Sequence, residues 1–426
     1  MSSAYDALRE HVFTLDIIDT HEHLPAFERN RPRETDVLGE YLTHYFSSDL
    51  VSAGLSAEAL VFARDHTKPL AERWKTVEPF WEAARHTGYG RSLDVAARLL
   101  YDIDAITAKS IGALDERFRA ARAAGGHYDR VLRATSRIVT SIEDGGSACV
   151  PGGGDEVDFD YFTPVLRLDA FIMPESKAMI GKLVRETGVE IATLDDLKRA
   201  AETLLDRSLE RGWIGLKCGL AYARSLKFER TSAVDAGTDF AKLLGGADAA
   251  SLTRLQDHMM HFVCALAETR KLPFQVHTGL QEGSGNIISN ADPTLLSNLF
   301  MDYPNVRFDL FHIGYPYQQT MSALAKNFRN VFIDFAWVHI ISPEASVRAL
   351  VEYLDAVPAN KISGFGGDYA FIDGVAGHAF IARENIARAL AVKVDQGVFD
   401  VRRAKEVARM ILFENPTALF KIDAGR

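Results

Sequence analysis

Short apolar runs, rich in β-branched residues, alternate along this chain with longer segments whose apolar positions recur every three or four residues. Runs that stay apolar through most of their length are typical of strands covered on both faces, and the longer segments predict helices. The predicted strands are residues 15–20, 137–142, 164–169, 213–218, 273–277, 306–312, 331–335 and 361–365. The predicted helices between the later strands are residues 193–211, 252–271, 293–303, 318–327 and 346–357. This alternation predicts an α/β protein of the (β/α)8 TIM-barrel class, with a doubly wound open sheet as the alternative.

The interval of about 25–133 breaks the alternation, because it contains only helical patterns. Trp74, Val77 and Trp81 recur every three or four residues and therefore form one apolar face. No linker rich in Pro, Gly or Ser separates the interval from its neighbours. We therefore predict one barrel over residues 1–426 with a helical insertion after the first strand, which serves as a cap or a dimer surface of a homo-oligomer.

The composition excludes several classes of partner. The chain of 426 residues is 47% hydrophobic and 25% charged, as in ordinary soluble globular proteins. Its 48 basic and 58 acidic residues are mixed throughout, so the net charge is −10 and no block of Lys or Arg occurs. Nucleic acid and anionic membranes are therefore poor partners, and we expect a small-molecule substrate. No apolar run approaches the ~18 residues of a membrane span, and the N-terminus is acidic where a signal peptide needs apolar residues.

Three cysteines, Cys149, Cys218 and Cys264, are too few for a disulfide framework and lack the spacing of a zinc ribbon. This usage fits a reducing compartment, so we expect a cytoplasmic protein. Cys218 is interpreted as small core filler rather than as a reactive thiol. The PGGGDE segment at Pro151–Glu156 predicts a flexible loop, because it lacks the GK[ST] of a phosphate-binding loop.

Residues that can bind a metal stand at the ends of the predicted strands. The first strand runs into His21 and His23, whose spacing on an extended segment places both imidazoles on one side, with Glu22 facing away. The polar residues at later strand ends are Lys217, His277, His312 and Asp368. One such histidine is usually a hydrogen-bonded core residue, but barrel enzymes carry their chemistry at these strand ends, so the whole set predicts a metal centre. Neutral imidazoles and a carboxylate favour zinc, with manganese as the alternative.

The motifs DTHEHL, VHTG, FHIGYP and GFGGDY, with Lys217 on the fourth strand, resemble the amidohydrolase superfamily and in particular its amidohydrolase-related branch. GLKCGLAYAR at 215–224, YPNVRFDLFHIGYPY and ARMILFENPTALFKI are similar to the amidohydrolase part of nodulin–glutamine synthetase fusion proteins. The helical insertion resembles that of uronate isomerases. The resemblance extends over most of the chain from Ile17 onward, and it is specific at the strand ends and loose in the insertion.

This resemblance implies a metal-dependent barrel enzyme in which His21, His23 and His277 hold the ion. It implies that Asp368 is both a ligand and the proton carrier. His312 is implied as a catalytic residue, which becomes a further ligand in members that hold two ions.

Lys217 matches a position where some relatives have a carbamylated lysine that bridges two metal ions. The surrounding KCGLAY differs from those contexts, which leaves the alternative of a plain cation that faces a substrate carboxylate. Whether the centre holds one ion or two stays open at this point.

Substrate contacts are expected from cations and aromatic rings at or just past strand ends, because Arg binds carboxylates with two parallel hydrogen bonds. The candidates are Arg167, Tyr222, Arg224, Trp74 and Trp337. For Trp74 the alternative is that it forms, with Trp81, the insertion's own core. The Gly-rich TGLQEGSGN after His277 is interpreted as a mobile lid or as an ordinary exposed loop.

These residues favour a hydrolase in which a metal-activated water attacks the amide, lactone or ester bond of a small, carboxylate-bearing substrate. A serine nucleophile is not expected, because the chain has no GxSxG motif. The alternatives within this family are a non-oxidative decarboxylase and a uronate-type isomerase. A non-catalytic scaffold barrel is the alternative from another class, and it is disfavoured because the ligand set has no gap.

Overall fold

A computed structural model describes residues 3–32, 34–144 and 156–423 of the chain. Its strands are β1 (Ile17–Glu22), β2 (Ile138–Glu143), β3 (Phe162–Pro164), β4 (Leu166–Arg167), β5 (Leu216–Cys218), β6 (Pro273–Val276), β7 (Arg307–Leu310), β8 (Val331–Asp334) and β9 (Ile362–Ser363). The helices before β5 are α1 (Ser3–Thr14), α2 (Val37–Tyr41), α3 (Phe46–Ser52), α4 (Ala57–Arg64), α5 (Leu70–Ala84), α6 (Gly88–Tyr101), α7 (Ile111–Ala124), α8 (Asp169–Ile172), α9 (Lys177–Thr187) and α10 (Leu194–Glu210). The later helices are α11 (Ala233–Leu244), α12 (Thr253–Arg270), α13 (Ser297–Asp302), α14 (Gln318–Asn327), α15 (Val338–Ile341), α16 (Pro343–Ala356), α17 (Ile372–Asp395), α18 (Val401–Arg409) and α19 (Asn415–Phe420).

Each predicted strand corresponds to a strand of the structure, and the third prediction is divided into β3 and β4 at Val165. The predicted helices also form, although α13 covers only part of 293–303, where a 3-10 turn precedes it. Local signals explain several boundaries: α10 begins with a capping box in which Thr193 and Asp196 exchange side-chain and backbone hydrogen bonds. Cys149 and residues 151–155 of the predicted PGGGDE loop lie outside the described residues.

The chain divides into two compact units. The first unit comprises Met1–Ser141, Glu282–Asn286 and Phe335–Pro416, and the second comprises Ile142–Gln281, Ile287–Asp334 and Thr417–Arg426. Within the described part of the chain, no helix combines the length and the hydrophobicity that crossing a bilayer requires.

The first unit is built around α17, which packs against α1, α6, α16 and α18. Between β1 and β2 the described elements are helical, which confirms the predicted insertion. Trp74 and Trp81 are buried in this insertion with their ring centroids 5.0 Å apart. Asp373, near the start of α17, accepts hydrogen bonds from the hydroxyls of Tyr41 (3.0 Å) and Tyr101 (2.7 Å) and lies 2.6 Å from His127 Nε2. This buried carboxylate therefore ties three parts of the insertion to α17.

The second unit contains the parallel strands β4 to β8, which are hydrogen-bonded in the order of the sequence. The register places Lys217 of β5 beside Gln275 of β6, and Gln275 beside Asp309 of β7. Three polar side chains therefore form one row across neighbouring strands. Elsewhere in this unit an apolar cluster includes Ile142, Val165, Leu419 and Phe420.

Candidate metal centre

His21, His23 and Asp368 come together in the first unit, with one ligand atom of each within 4.8 Å of the others. Asp368 Oδ1 lies 3.5 Å from Nε2 of His21 and 3.1 Å from Nε2 of His23. The His21 side chain is 1% exposed and that of His23 is 34% exposed, so the group opens to solvent on one side. Glu22, between the two histidines, accepts a hydrogen bond from the backbone N–H of Tyr369 at 2.8 Å and does not join the group.

These three side chains, which we call the metal triad, fit a divalent cation. Zinc binds His nitrogen and carboxylate oxygen at about 2.0–2.2 Å, so neighbouring ligand atoms of a tetrahedral site stand about 3.3–3.6 Å apart. At Asp368 Oδ1 the separation of 3.5 Å lies within that range, and the separation of 3.1 Å is about 0.2 Å below it. Two imidazoles and one carboxylate are also the donor set of a catalytic zinc site that leaves a position for water or substrate.

Hydrogen bonds hold the segment that carries Asp368 at nearly every peptide group. The Asp368 N–H donates to the carbonyl of His21 at 2.7 Å, and the His23 N–H donates to the carbonyl of Tyr369 at 3.2 Å. The Gly367 N–H donates to Asp19 Oδ1 at 2.9 Å. His378 Nδ1 lies 3.1 Å from the Gly367 carbonyl and donates to it, because a carbonyl only accepts. The geometry of the triad is therefore fixed by the protein itself.

This fixation offsets backbone strain. Asp368 has φ of 56°, in the left-handed region, which costs a non-glycine residue about 1–2 kcal/mol. Gly367 beside it is required for space, since a Cβ there would lie 1.7 Å from Glu22 Oε1. Strained residues of this kind persist where surrounding contacts determine them, and they concentrate at functional sites.

Two buried carboxyl groups support the same segment from β1. Asp19 accepts hydrogen bonds from the His21 N–H (3.2 Å) and from the Ser141 hydroxyl (2.8 Å) in addition to that from Gly367. Burial raises the pKa of Asp19 to about 6. Burial and the neighbouring Asp19 raise the pKa of Glu22 well above its usual range. Burial and mutual proximity therefore both disfavour a full negative charge on each member of this pair.

The insertion adds residues that the sequence did not single out. The Tyr45 hydroxyl donates to the backbone carbonyl of Asp368, and its ring stacks on Trp337 with centroids 4.5 Å apart. His44, whose ring lies 3.8 Å from that of Tyr45, experiences the charges of both Asp368 and His23. Burial lowers the pKa of His44 to about 3, so its imidazole is neutral. No spacing or motif marks these residues in the sequence, because they follow the short helix α2, far from the strand ends.

The Gly-rich segment TGLQEGSGN also contributes to the first unit through Glu282–Asn286. Burial, and next the charge of Asp368, raise the pKa of Glu282. Glu282 is thus a further acidic group in the surroundings of the triad, besides Asp19 and Glu22.

The predicted residues His277, His312 and Tyr222 come together in the second unit. His277 Nε2 lies 2.9 Å from the Leu280 carbonyl and therefore donates to it, which leaves Nδ1 as an acceptor for His312 Nε2 at 3.1 Å. In this arrangement both ring nitrogens of His277 are occupied, so a ligand role requires the pair to rearrange. The ring of Tyr222, which is 45% exposed, lies 4.7 Å from that of His277. His312 has φ of 60°, a further strained position.

Lys217 is buried with its ammonium 3.5 Å from the centre of the Phe311 ring, and it interacts with the charge of Asp309. Burial raises the pKa of Asp309 to about 6, and a hydrogen bond to Asp334 and the charge of Lys217 oppose the rise. An aromatic face and a carboxylate both favour a cation over the anionic carbamate. The surroundings of Lys217 therefore favour the plain-cation alternative.

The remaining substrate candidates are engaged within the protein. Arg224 donates to Asp257 and to Gln256 at 2.7 and 2.6 Å, and Arg167 forms an ion pair with Asp144. Because these guanidinium groups are already paired, their positions count against the prediction that they receive a substrate carboxylate. Trp74 packs on Trp81, as expected if both belong to the insertion's core. Trp337 is 1% exposed and has φ of 63°.

The two described cysteines, Cys218 and Cys264, are free and buried. Burial raises the pKa of the Cys218 thiol well above its ordinary value, which agrees with its interpretation as core filler.

Comparison with known proteins supports the sequence resemblance. Residues 243–422 match the family model described as amidohydrolase. The protein fluG of Emericella nidulans is 29% identical over 154 residues, which are 35% of this chain and 18% of that protein. The match thus spans less than a fifth of the length of this curated relative.

Solved structures similar to the whole chain include two isomerases and one hydrolase. Uronate isomerase from Thermotoga maritima has a TM-score of 0.82 at 16% identity, with 99% of this chain and 98% of that chain covered. Glucuronate isomerase from Caulobacter crescentus has a TM-score of 0.78 at 19% identity, with 99% and 94% covered. A Lactobacillus casei protein assigned as a metal-dependent hydrolase has a TM-score of 0.66 at 18% identity, with 97% of each chain covered. This likeness confirms the predicted α/β barrel class, and the match of residues 243–422 to the amidohydrolase family model supports the resemblance to that family.

Proposed function

We propose that this protein is a metal-dependent hydrolase that uses water to cleave the amide, lactone or ester bond of a small substrate. The observation that carries the proposal is the metal triad, in which His21, His23 and Asp368 Oδ1 have the spacing of zinc ligands. A divalent cation bound there supplies Lewis acidity and makes water ionisable near neutral pH. We propose one ion, zinc rather than manganese.

Asp368 is the proposed proton carrier. Its Oδ1 faces the two histidines, so the other carboxylate oxygen takes a proton from the attacking water and passes it to the leaving group. Its backbone is held by His21 and Tyr45, which limits the movement of the carboxylate between the two transfers. We propose that the neutral imidazole of His44 and the carboxyl of Glu282 orient polar groups of the substrate.

The roles of residues in the second unit stay predictions. His277 as a ligand and His312 as a catalytic residue require their mutual hydrogen bond to change, whereas Tyr222 is exposed beside His277 and suits contact with a substrate. We leave Arg167 and Arg224 out of the proposed substrate contacts because of their ion pairs with Asp144 and Asp257. Whether the substrate bears a carboxylate is tested by comparing acidic substrates with their neutral amides or methyl esters.

The test compares wild type with His23→Ala and Asp368→Asn. Metal content is measured by mass spectrometry after dialysis, and hydrolysis of an amide, lactone and ester panel is followed by proton release. His66→Ala is the matched control, because the side chains of His66 and His23 are both 34% exposed. We expect His23→Ala to lose the ion and His66→Ala to keep it. Asp368→Asn should reduce turnover about 10²- to 10⁴-fold while the fold is kept. Full metal content in His23→Ala, or near-normal turnover in Asp368→Asn, would contradict the proposal.

Isomerisation of a uronate is the second candidate function. It is favoured by the likeness to two uronate isomerases over 99% of this chain, a range that includes the helical insertion. The same preparations are incubated with glucuronate and galacturonate, and ketose formation is followed by NMR. Ketose production that depends on His23, without hydrolysis of the panel, would replace hydrolysis by isomerisation.

A further inference from the structure

The helical insertion of the first unit contains a cavity of about 380 Å³ with a strongly basic wall. Arg29, Arg31, Arg119 and Arg122 line it, and Glu28 is the one acidic residue among its described lining. This excess of positive charge stands out in a chain whose net charge is −10. None of these residues belongs to the metal triad or to its supporting segment.

Glu28, the one carboxylate among the described lining, accepts hydrogen bonds from two backbone N–H groups and offsets one of the four guanidinium charges. Glu28 Oε1 accepts the N–H of His127 at 2.8 Å, and Oε2 accepts the N–H of Tyr128 at 3.3 Å. Both carboxylate oxygens of Glu28 are therefore hydrogen-bonded to the backbone of His127 and Tyr128.

Two of the four arginines form a built, mostly buried group. Arg31 and Arg122 bind opposite oxygens of Glu40 at 3.1 and 2.6 Å, and the three side chains are 7%, 12% and 6% exposed. Glu40 therefore lies between two guanidinium groups that have largely left water, and the charge of Asp373 also acts on both of them.

The other two arginines lie at the open side. Arg119 is 51% exposed and binds Asp115 at 2.8 Å, and the exposed Arg29 lies over the Phe27 ring at 3.9 Å. A guanidinium has five N–H donors in a planar fork that matches phosphate and carboxylate oxygens. Arg31 contacts Glu40 through Nη2, and Arg119 contacts Asp115 through Nε and Asp36 through Nη2, so further N–H donors of both side chains can meet a ligand.

We propose that this cavity is a binding site for a small polyanion, which it recognises by two or more phosphate or carboxylate groups. The volume lies within the range of small-molecule pockets, about 300–1,000 Å³, so the ligand is a metabolite rather than a macromolecule. Arg31 and Arg122 form the inner wall, and Arg29 and Arg119 close over the ligand from the solvent side.

The experiment titrates the full-length protein by calorimetry with inorganic pyrophosphate and, separately, with citrate, at constant ionic strength. The two arms distinguish phosphate from carboxylate sources of the same oxyanion chemistry. The double variant Arg29→Ala/Arg119→Ala removes two exposed side chains and should keep the fold. Arg254→Ala is the matched control, since its side chain is 44% exposed and ion-paired with Asp235 in the second unit.

We expect saturable binding of at least one anion, weakened about tenfold or more in the double variant and unchanged in Arg254→Ala. Both anions can also bind a metal ion, and binding at the metal triad would persist in the double variant. Absence of saturable binding to wild type, or equal affinity in wild type and the double variant, would overturn the proposal.

Discussion

Replacing Tyr45 by Phe tests whether the helical insertion holds the metal triad in its geometry. The Tyr45 hydroxyl donates to the backbone carbonyl of Asp368, while its ring stacks on Trp337 at 4.5 Å and on Tyr89 at 5.3 Å. Phenylalanine keeps the ring and both stacking contacts. The substitution therefore removes the hydrogen bond to Asp368 and keeps the aromatic packing.

The magnitude follows from the burial of the bond and the strain beside it. A buried carbonyl that loses its donor costs about 1–3 kcal/mol. The lost bond also opposes the strain at Asp368, whose φ of 56° stores about 1–2 kcal/mol. Loss of a group that orients a metal ligand typically lowers metal affinity about 10- to 100-fold. We expect Tyr45→Phe to show both effects, lower stability and weaker metal binding.

The assay measures zinc affinity by competition with a chromogenic chelator and stability by thermal unfolding. Tyr128→Phe is the matched control, because Tyr128 is also a buried tyrosine of the insertion whose hydroxyl donates to a backbone carbonyl, that of Pro25, at 2.7 Å. The control should lose similar stability and keep the wild-type zinc affinity. If Tyr45→Phe and Tyr128→Phe bind zinc equally well, Tyr45 supports the fold and does not position Asp368.

Three further predictions concern buried charges. Lys217, whose ammonium lies 3.5 Å from the centre of the Phe311 ring, should stay uncarbamylated. Protein equilibrated with ¹³C-bicarbonate should therefore give no carbamate NMR signal, and such a signal would refute the plain-cation assignment. Burial lowers the pKa of His339 to about 4, below the 6.5 of the unfolded chain, so the unfolded state takes up the proton first and stability falls as the pH drops from about 6.5 to about 4. Between about pH 7.5 and pH 5, urea unfolding should show that wild type loses about 2 kcal/mol more unfolding free energy than His339→Gln does. An equal change of unfolding free energy with pH in both proteins would exclude a contribution from His339. Asp373→Ala leaves Tyr41, Tyr101 and His127 without their shared acceptor. It should lower the unfolding free energy by about 3–5 kcal/mol. A loss below ~1 kcal/mol would show that water replaces the carboxylate.

The sequence predicted the strands because each is apolar through most of its length, and it predicted α10, α12 and α14 because their apolar positions form one stripe. It did not single out α17, the long helix at the centre of the first unit. Most residues of α17 are buried, on every side, so the pattern has no polar face from which a helical period could be recognised. Burial on all sides depends on the neighbours α1, α6 and α16, which local pattern does not contain.

In the site, too, the residues marked by local sequence pattern were predictable, and those placed by tertiary contacts were not. His21, His23 and Asp368 were predictable because each stands at a strand end, where the barrel collects its chemistry. Tyr45 and His44 were not, since they follow a five-residue helix in the insertion and reach Asp368 only through the tertiary fold. Arg224 was predicted as a substrate contact from its position after a strand. Its pairing with Asp257 depends on α12, and Asp257 lies 33 residues later in the chain.

The hydrogen bonds around Asp368 lead to a prediction about metal removal. The segment Gly366–Tyr369 is held by β1, by Trp337, by Tyr45 and by His378, and none of these contacts involves an ion. The triad is thus formed by the fold and not by the cation, unlike small zinc domains whose folding free energy is supplied by the metal. Chelation should therefore leave the circular dichroism spectrum and cooperative unfolding intact. The free energy of unfolding should drop only by the contribution of metal binding. For free metal at 100 times its Kd this contribution is about 2.7 kcal/mol. Loss of tertiary structure on chelation would show that the ion, and not this hydrogen-bonded segment, organises the site.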